Sequence, residues 1–353
     1  MKSKFLFPFL VFTQVLSAQT FTEVPQSPPF QEVFFSSIAF ADVDGDGDLD
    51  VLITGRSSLF GGENQYSKLY TNDGVGNFTE MQGTPFESVG YSSIAFADVD
   101  GDGDQDVLIT GRNSAYTPIA KLYTNDGVGN FSEMTGTPFD GVDTGSIAFA
   151  DVDGDNDQDL LITGRTHSLA LIAKLYTNDG QGSFTEMVGA PFLGVEAGSV
   201  AFTDVDGDND QDLLITGRYS LGGGTETSKL YTNDGQGNFT ENVGTQIADV
   251  ENSSIAFADV DGDNDQDLLI TGRYQSIYRI TKMYTNDGVG NFSEMIGTPF
   301  DSVEFGSITF GDVDGDNDQD VSLQDEHSAQ MVESRSCTPM TESEFQRNDW
   351  NSF

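Results

Sequence analysis

An all-β fold is predicted by three features of the sequence. An acidic string, DVDGDGDLD from Asp42, returns in related form at Asp98, Asp151, Asp204, Asp259 and Asp312, at spacings of 56, 53, 53, 55 and 53 residues. Around each copy stands the same frame of short β-branched and aromatic runs bounded by turn residues. No stretch carries the apolar period of a helix. Four short strands in a unit of about 50 residues, repeated, form the pattern of a β-propeller, whose blades are four-stranded antiparallel sheets around an axis. Six repeats are visible, the last incomplete. A string of β-sandwiches is the rival all-β reading, but each would need about 100 residues.

In the first repeat, strands are expected at residues 37–43, 51–56, 68–71 and 78–81. Ser37, Ala39 and Ala41 give the first strand small side chains, which suit the crowded innermost position. VLITGR forms the second, KLYT the third and FTEM the fourth. Asn72-Asp73-Gly74 is a hairpin signal between the third and fourth. The acidic string joins the first and second.

That string places carboxylates at positions 1, 3, 5, 7 and 9. Five like charges in nine residues repel strongly unless a cation lies among them. Ca²⁺ takes about 6–8 oxygen ligands in flexible geometry, and D-x-D-x-D-G loops supply them in this order. Side-chain ligation is expected from positions 1, 3, 5 and 9, and a backbone carbonyl from position 7. The first candidate site is Asp42, Asp44, Asp46, Asp48 and Asp50. The second is Asp98, Asp100, Asp102, Asp104 and Asp106, and the third is Asp151, Asp153, Asp155, Asp157 and Asp159. Asp204, Asp206, Asp208, Asp210 and Asp212 form the fourth; Asp259, Asp261, Asp263, Asp265 and Asp267 the fifth; Asp312, Asp314, Asp316, Asp318 and Asp320 the sixth. Position 6 is Gly47, Gly103, Asn156, Asn209, Asn264 or Asn317, the two residue types that tolerate a left-handed backbone. No Glu stands at position 12, so the loop is not an EF-hand. A solvated acidic turn without metal is the plainer alternative. About one Ca²⁺ per repeat, in a structural role, is the expectation.

DVDGDGDLDVLITG and the strands that follow it resemble the FG-GAP or VCBS-type repeat. The resemblance covers residues 21 to about 321. It implies a calcium-bearing β-propeller like that of integrin α-subunits, usually seven-bladed, with Ca²⁺ in the hairpin between the first two strands of a blade. The literal Phe-Gly and Gly-Ala-Pro words are absent, and GTPF stands near the latter. No other integrin domain is present, so integrin function does not carry over.

Composition narrows the functional classes. With 58 Asp and Glu against 15 Lys and Arg, the formal charge is -43, which would repel a nucleic-acid backbone. One Cys and two His leave little for thiol, imidazole or His-based metal chemistry, and one Cys makes no disulfide framework. Residues 1–18 read as a signal peptide, with Lys2 and Lys4 before an apolar run and a cut after Ala18. That run is too short to span a bilayer. A secreted or cell-surface location with no transmembrane segment follows. Residues 19–321 then form the propeller.

The tail, residues 322–353, breaks the pattern in mid-strand. Restoring one nucleotide after Val321 lets the same letters read VLITGR and then KLYTNDGVG; a second near Glu344 restores NFSEMTGTPF. The tail is therefore read as a shifted frame or disordered segment, without functional weight for Cys337, His327 or Trp350. Phe21-Thr22-Glu23-Val24 matches a fourth strand, so closure by the N-terminus requires a parent of at least seven blades.

Strand alternation puts the acidic loops and NDG turns on one face and the variable second-to-third loops on the other. Variable loops on a rigid scaffold are where binding concentrates, though unconstrained drift gives the same variability. Phe60, Tyr116, Tyr219, Tyr274 and Tyr278 are the candidate ligand-binding aromatics. Arg56, Arg112, Arg165, Arg218 and Arg273 end the second strands, and Lys68, Lys121, Lys174, Lys229 and Lys282 start the third. They form either a basic rim or, for the lysines, cross-strand pairs with Glu80, Glu133, Glu186, Glu241 and Glu294. The pairing is the favoured alternative. The functional expectation is a non-enzymatic binding or adhesion module directed at an extracellular protein or glycan. The alternatives are a non-catalytic module or remnant of a larger secreted enzyme, and a purely structural surface repeat.

Overall fold

A computed structural model describes residues 30–57, 65–221, 225–312, 318–324, 329–333 and 346–349. The expected signal peptide, the strand expected at 21–24 and Phe60 lie outside the described residues. The first blade is β1 (Phe34–Ala41), β2 (Asp50–Arg56), β3 (Gln65–Asn72) and β4 (Phe78–Glu80), all antiparallel. The second is β5 (Gly90–Ala97), β6 (Asp106–Arg112), β7 (Pro118–Thr124) and β8 (Ser132–Glu133). In the third the first strand is split into β9 (Val142–Asp143) and β10 (Ile147–Ala150), followed by β11 (Asp159–Thr166), β12 (Leu171–Thr177) and β13 (Thr185–Glu186). The fourth is β14 (Val200–Thr203), β15 (Asp212–Arg218), β16 (Glu226–Asn233) and β17 (Phe239–Glu241). The fifth is β18 (Glu251–Ala258), β19 (Asp267–Tyr274), β20 (Tyr278–Asn286) and β21 (Phe292–Met295).

The sixth repeat, whose sequence pattern stops at Val321, also forms four antiparallel strands. They are β22 (Ser307–Gly311), β23 (Asp320–Gln324), β24 (Ala329–Glu333) and β25 (Gln346–Asp349). The last two are supplied by the tail. Each first strand packs against the next around the assembly, β1 on β5, β5 on β10, β10 on β14, β14 on β18 and β18 on β22. This is a β-propeller with the first strand innermost, as the small residues of that strand predict.

The core is a series of equivalent layers between blades. Alternation along the second strand divides its side chains. Leu52 and Leu69 of the first blade meet Ile94, Val107, Ile109 and Tyr123 of the second, all buried. Leu108 and Leu122 repeat this against Ile147, Leu160, Ile162 and Tyr176. The phenylalanine of the first three GTPF-type words closes a layer edge-on. Phe86 lies 5.1 Å from the Tyr123 ring and 5.0 Å from Phe131, and Phe139 and Phe192 take the same place in later blades. Burial of each such leucine stabilises by about 1.5–3 kcal/mol.

A β-bulge interrupts the start of the first strand. Phe35, Tyr91, Thr144, Ala197, Asn252 and Phe305 all adopt positive φ, between 49° and 56°. Their backbone amides link blade to blade: Thr144 donates to the Tyr91 carbonyl, Ala197 to Thr144, Asn252 to Ala197 and Phe305 to Asn252, at 2.6–3.0 Å. The bulge therefore builds a hydrogen-bonded collar at the innermost layer.

Candidate metal centres and the variable face

The acidic loop folds around its own backbone amides. Position 1 organises the turn: Asp42 accepts from the amides of Gly45 and Gly47 at 2.8 and 2.9 Å, and four later loops repeat both bonds. Position 6 has φ of 90° at Gly47 and 70–72° at Asn156, Asn209 and Asn264, the left-handed geometry that its residue types predict. Position 9 is buried. Asp50 accepts from Val43 N at 3.0 Å and from Asn72 N at 2.8 Å, tying the loop to the end of the third strand.

Carboxylate oxygens converge within 4.8 Å of one another in five loops. The triads are Asp42, Asp44 and Asp50; Asp98, Asp100 and Asp106; Asp151, Asp153 and Asp159; Asp204, Asp206 and Asp208; and Asp259, Asp261 and Asp263. Positions 1 and 3 are common to all, with position 9 completing three triads and position 5 two. Position 7 lies apart. The Asp48 carboxylate sits over Gly74 of its own NDG turn, where a Cβ would collide with it, so its side chain is directed away from the triad. In the sixth loop Asp314 and Asp316 lie outside the described residues.

The triads fit a cation on two grounds. One oxygen of position 3 is buried without a hydrogen-bond partner in Asp44, Asp100, Asp153, Asp206 and Asp261. An orphaned buried carboxylate oxygen is costly, and a hard divalent ion among oxygens relieves it. Burial also raises the carboxyl pKa at position 9, to about 6 in Asp106 and Asp212 and about 7 in Asp159 and Asp267. Two backbone amides oppose that rise without cancelling it. At position 3, burial and the neighbouring aspartates raise the pKa as well.

Sequence reasoning missed one part of this site. Asn125, Asn178, Asn233 and Asn286, the first residues of the NDG turns, donate Nδ2 to the carbonyls of Val43, Val99, Val152 and Val205 in the preceding blade's loop at 2.8–2.9 Å. Each acidic loop is thus held by the next blade. The asparagine was visible, but as a turn signal it carried no hint of a partner 79–82 residues away.

A family model described as an FG-GAP-like repeat matches residues 54–109, 98–162 and 218–270. These stretches match FG-GAP-like repeats. No curated protein matches the sequence. Among solved structures, a lectin of Agrocybe aegerita that recognises non-reducing terminal N-acetylglucosamine is similar with a TM-score of 0.56 and 17% identity, over 84% of this chain and 76% of that one. A mutant of AofleA from Arthrobotrys oligospora is similar with a TM-score of 0.51 and 10% identity, over 91% and 89%. At these identities the likeness is one of fold.

On the variable face, Tyr116, Tyr219 and Tyr278 are exposed. Tyr116 lies 5.8 Å from the Arg112 guanidinium, and Tyr274 pairs across the hairpin with Tyr278. The five lysines pair with the five fourth-strand glutamates. The arginines instead meet a set of acids that sequence reasoning overlooked. Asp143, Glu196, Glu251 and Glu304 stand just before the bulge in four blades and alternate with Arg112, Arg165, Arg218 and Arg273 in a belt of ion pairs. Their signal was an acid after Val in GVDTGS, GVEAGS, DVENSS and SVEFGS, in each case three residues before the final Ser. No helix among the described residues is long and apolar enough to cross a membrane.

Proposed function

We infer that this chain is an exported, calcium-stabilised β-propeller that binds glycan through its variable face, without catalysis. The observation that carries the reading is the division of labour between faces. One face is a constant array of aspartate triads braced by the next blade. The other bears loops of changing length and sequence with exposed tyrosines, on a rigid frame. Aromatic faces flanked by polar groups suit the apolar C–H face of a sugar. The terminal N-acetylglucosamine specificity of the Agrocybe lectin, on a similar fold, supports glycan over protein as the ligand class.

In this reading positions 1, 3, 5 and 9 of each loop donate carboxylate oxygens to Ca²⁺, and position 7 donates its backbone carbonyl. The metal serves stability, by relieving repulsion among the aspartates. Residues 1–18 direct export, so the mature chain begins at Gln19. Residues 322–353 are the product of a shifted frame, which the genomic nucleotides past Val321 will check directly. The deciding experiment is a glycan array probed with the full chain in calcium and again in EDTA. Calcium-dependent binding to a defined sugar class supports the reading; no retained glycan on any array leaves a structural repeat protein.

A further inference from the structure

The arginine belt on the variable face is interrupted at one place. Arg165, Arg218 and Arg273 each meet two acids, one from their own blade and one from the next. Arg112 meets Asp143 of the next blade alone, because its cross-strand partner is Gly90. Arg56 meets neither. Its cross-strand partner is Phe34, and the next blade offers Gly90, whose missing Cβ leaves the space that the Arg56 side chain fills. Among the described residues from 30 to 312, Arg56 is the one Lys or Arg with no carboxylate of a described residue within 4.0 Å.

Its surroundings are those of a recognition site. One guanidinium nitrogen donates to Tyr91 Oη at 3.2 Å, which leaves most of its five N–H donors unused. The Arg56 and Arg112 guanidiniums lie 5.6 and 4.4 Å from the Tyr91 ring centroid. Phe35 stacks on Tyr91 at 4.3 Å, and Phe34 and Phe35 are both exposed. A planar fork of donors held against an aromatic face matches a carboxylate, and the adjoining phenyl rings match the C–H face of a sugar. The charge of the rest of the chain sets the ligand's size. A chain of net charge -43 repels a polyanion, but beyond a Debye length of about 8 Å that field is screened, so a single carboxylate pays little of it.

We propose that Arg56, Tyr91 and the Phe34–Phe35 edge form a binding site for a carboxylate-bearing sugar. The proposal rests on the glycan-binding reading of this face and names the ligand class for one position on it.

The test is calorimetric titration of the full chain, in calcium-containing buffer, with glucuronic acid, glucose and sodium sulfate. Glucuronic acid is expected to bind at least about tenfold more tightly than glucose, the difference that one charge-assisted hydrogen-bonded pair supplies. R56Q removes the guanidinium. F34E supplies the carboxylate that four other blades hold at this position, and because the Phe34 side chain is exposed its melting curve is expected to stay as in wild type. Both variants are expected to lose glucuronic acid binding, whereas K229Q, outside the belt, keeps it. Wild-type affinity in R56Q, or sulfate binding as tightly as glucuronic acid, would overturn the proposal. An array in which R56Q and wild type bind the same neutral glycans, and neither binds acidic ones, removes this site but leaves the glycan-binding reading. No binding to any glycan removes both.

Discussion

At the scale of single residues, the acidic loop is governed by where carboxylates are buried. Asp106, Asp159, Asp212 and Asp267 sit at the base of their loops with carboxyl groups raised to about 6–7. An unfolded Asp titrates near 3.9, so the metal-free folded chain holds protons that the unfolded chain has already released. Stability of the metal-free protein is therefore expected to fall as pH rises from about 4 through 7. Calcium reverses the sign, because it binds the ionised form and protons compete with it. Thermal melts at pH 5 and pH 8, with EDTA and with calcium, should give opposite slopes. Equal slopes would separate these aspartates from the metal. Position 6 gives a second check. Asn156 has φ of 70°, so N156A is expected to cost about 1 kcal/mol and N156G almost nothing, read from urea denaturation.

Between elements, the decisive contact is the asparagine that reaches back into the previous loop. Asn178 donates to Val99 O in a buried position. N178A leaves that carbonyl unsatisfied and is expected to destabilise by about 1–3 kcal/mol, and to weaken metal binding at the Asp98 loop more than at the Asp151 loop. Calcium titration of single-loop variants would separate the two. L108A, which opens a cavity between the second and third blades, should cost about 2–5 kcal/mol and leave the loops intact.

The same elements show what a reader of the sequence sees. The four strands, the loop turn and the lysine–glutamate pairs were legible because each rests on local spacing: alternation, a glycine or asparagine, a residue opposite on the neighbouring strand. The first strand was expected from residue 37 but starts at Phe34, because the Phe35 bulge breaks the alternation that marks a strand. The third starts at Gln65 and not at Lys68, because the hairpin pairing runs on into the variable segment. The arginine belt and the Asn178-type links were illegible since their partners lie in the next blade, and local pattern carries no record of that distance.

At the scale of the molecule, a net charge of -43 must be offset for the constant face to pack. At a free calcium concentration ten times the dissociation constant, each site contributes about 1.4 kcal/mol, and five described triads about 7 kcal/mol. Chelation is expected to lower the melting temperature on the order of 10–20 °C, read by calorimetry, with recovery on adding calcium back. A melt unchanged by EDTA would show that the loops are acidic turns only.

The collar of backbone hydrogen bonds carries a consequence for how such a gene changes length. Tyr91, Thr144 and Ala197 follow one another at intervals of 53 residues, and the Thr144 and Ala197 amides each answer the carbonyl one blade back. Excising one such interval joins two bulges of the same geometry, and duplicating it inserts another link. Recombination between repeats would therefore yield proteins shorter or longer by whole blades, each still able to fold. A cut that failed to join equivalent positions of two repeats would leave a donor without its acceptor at the axis.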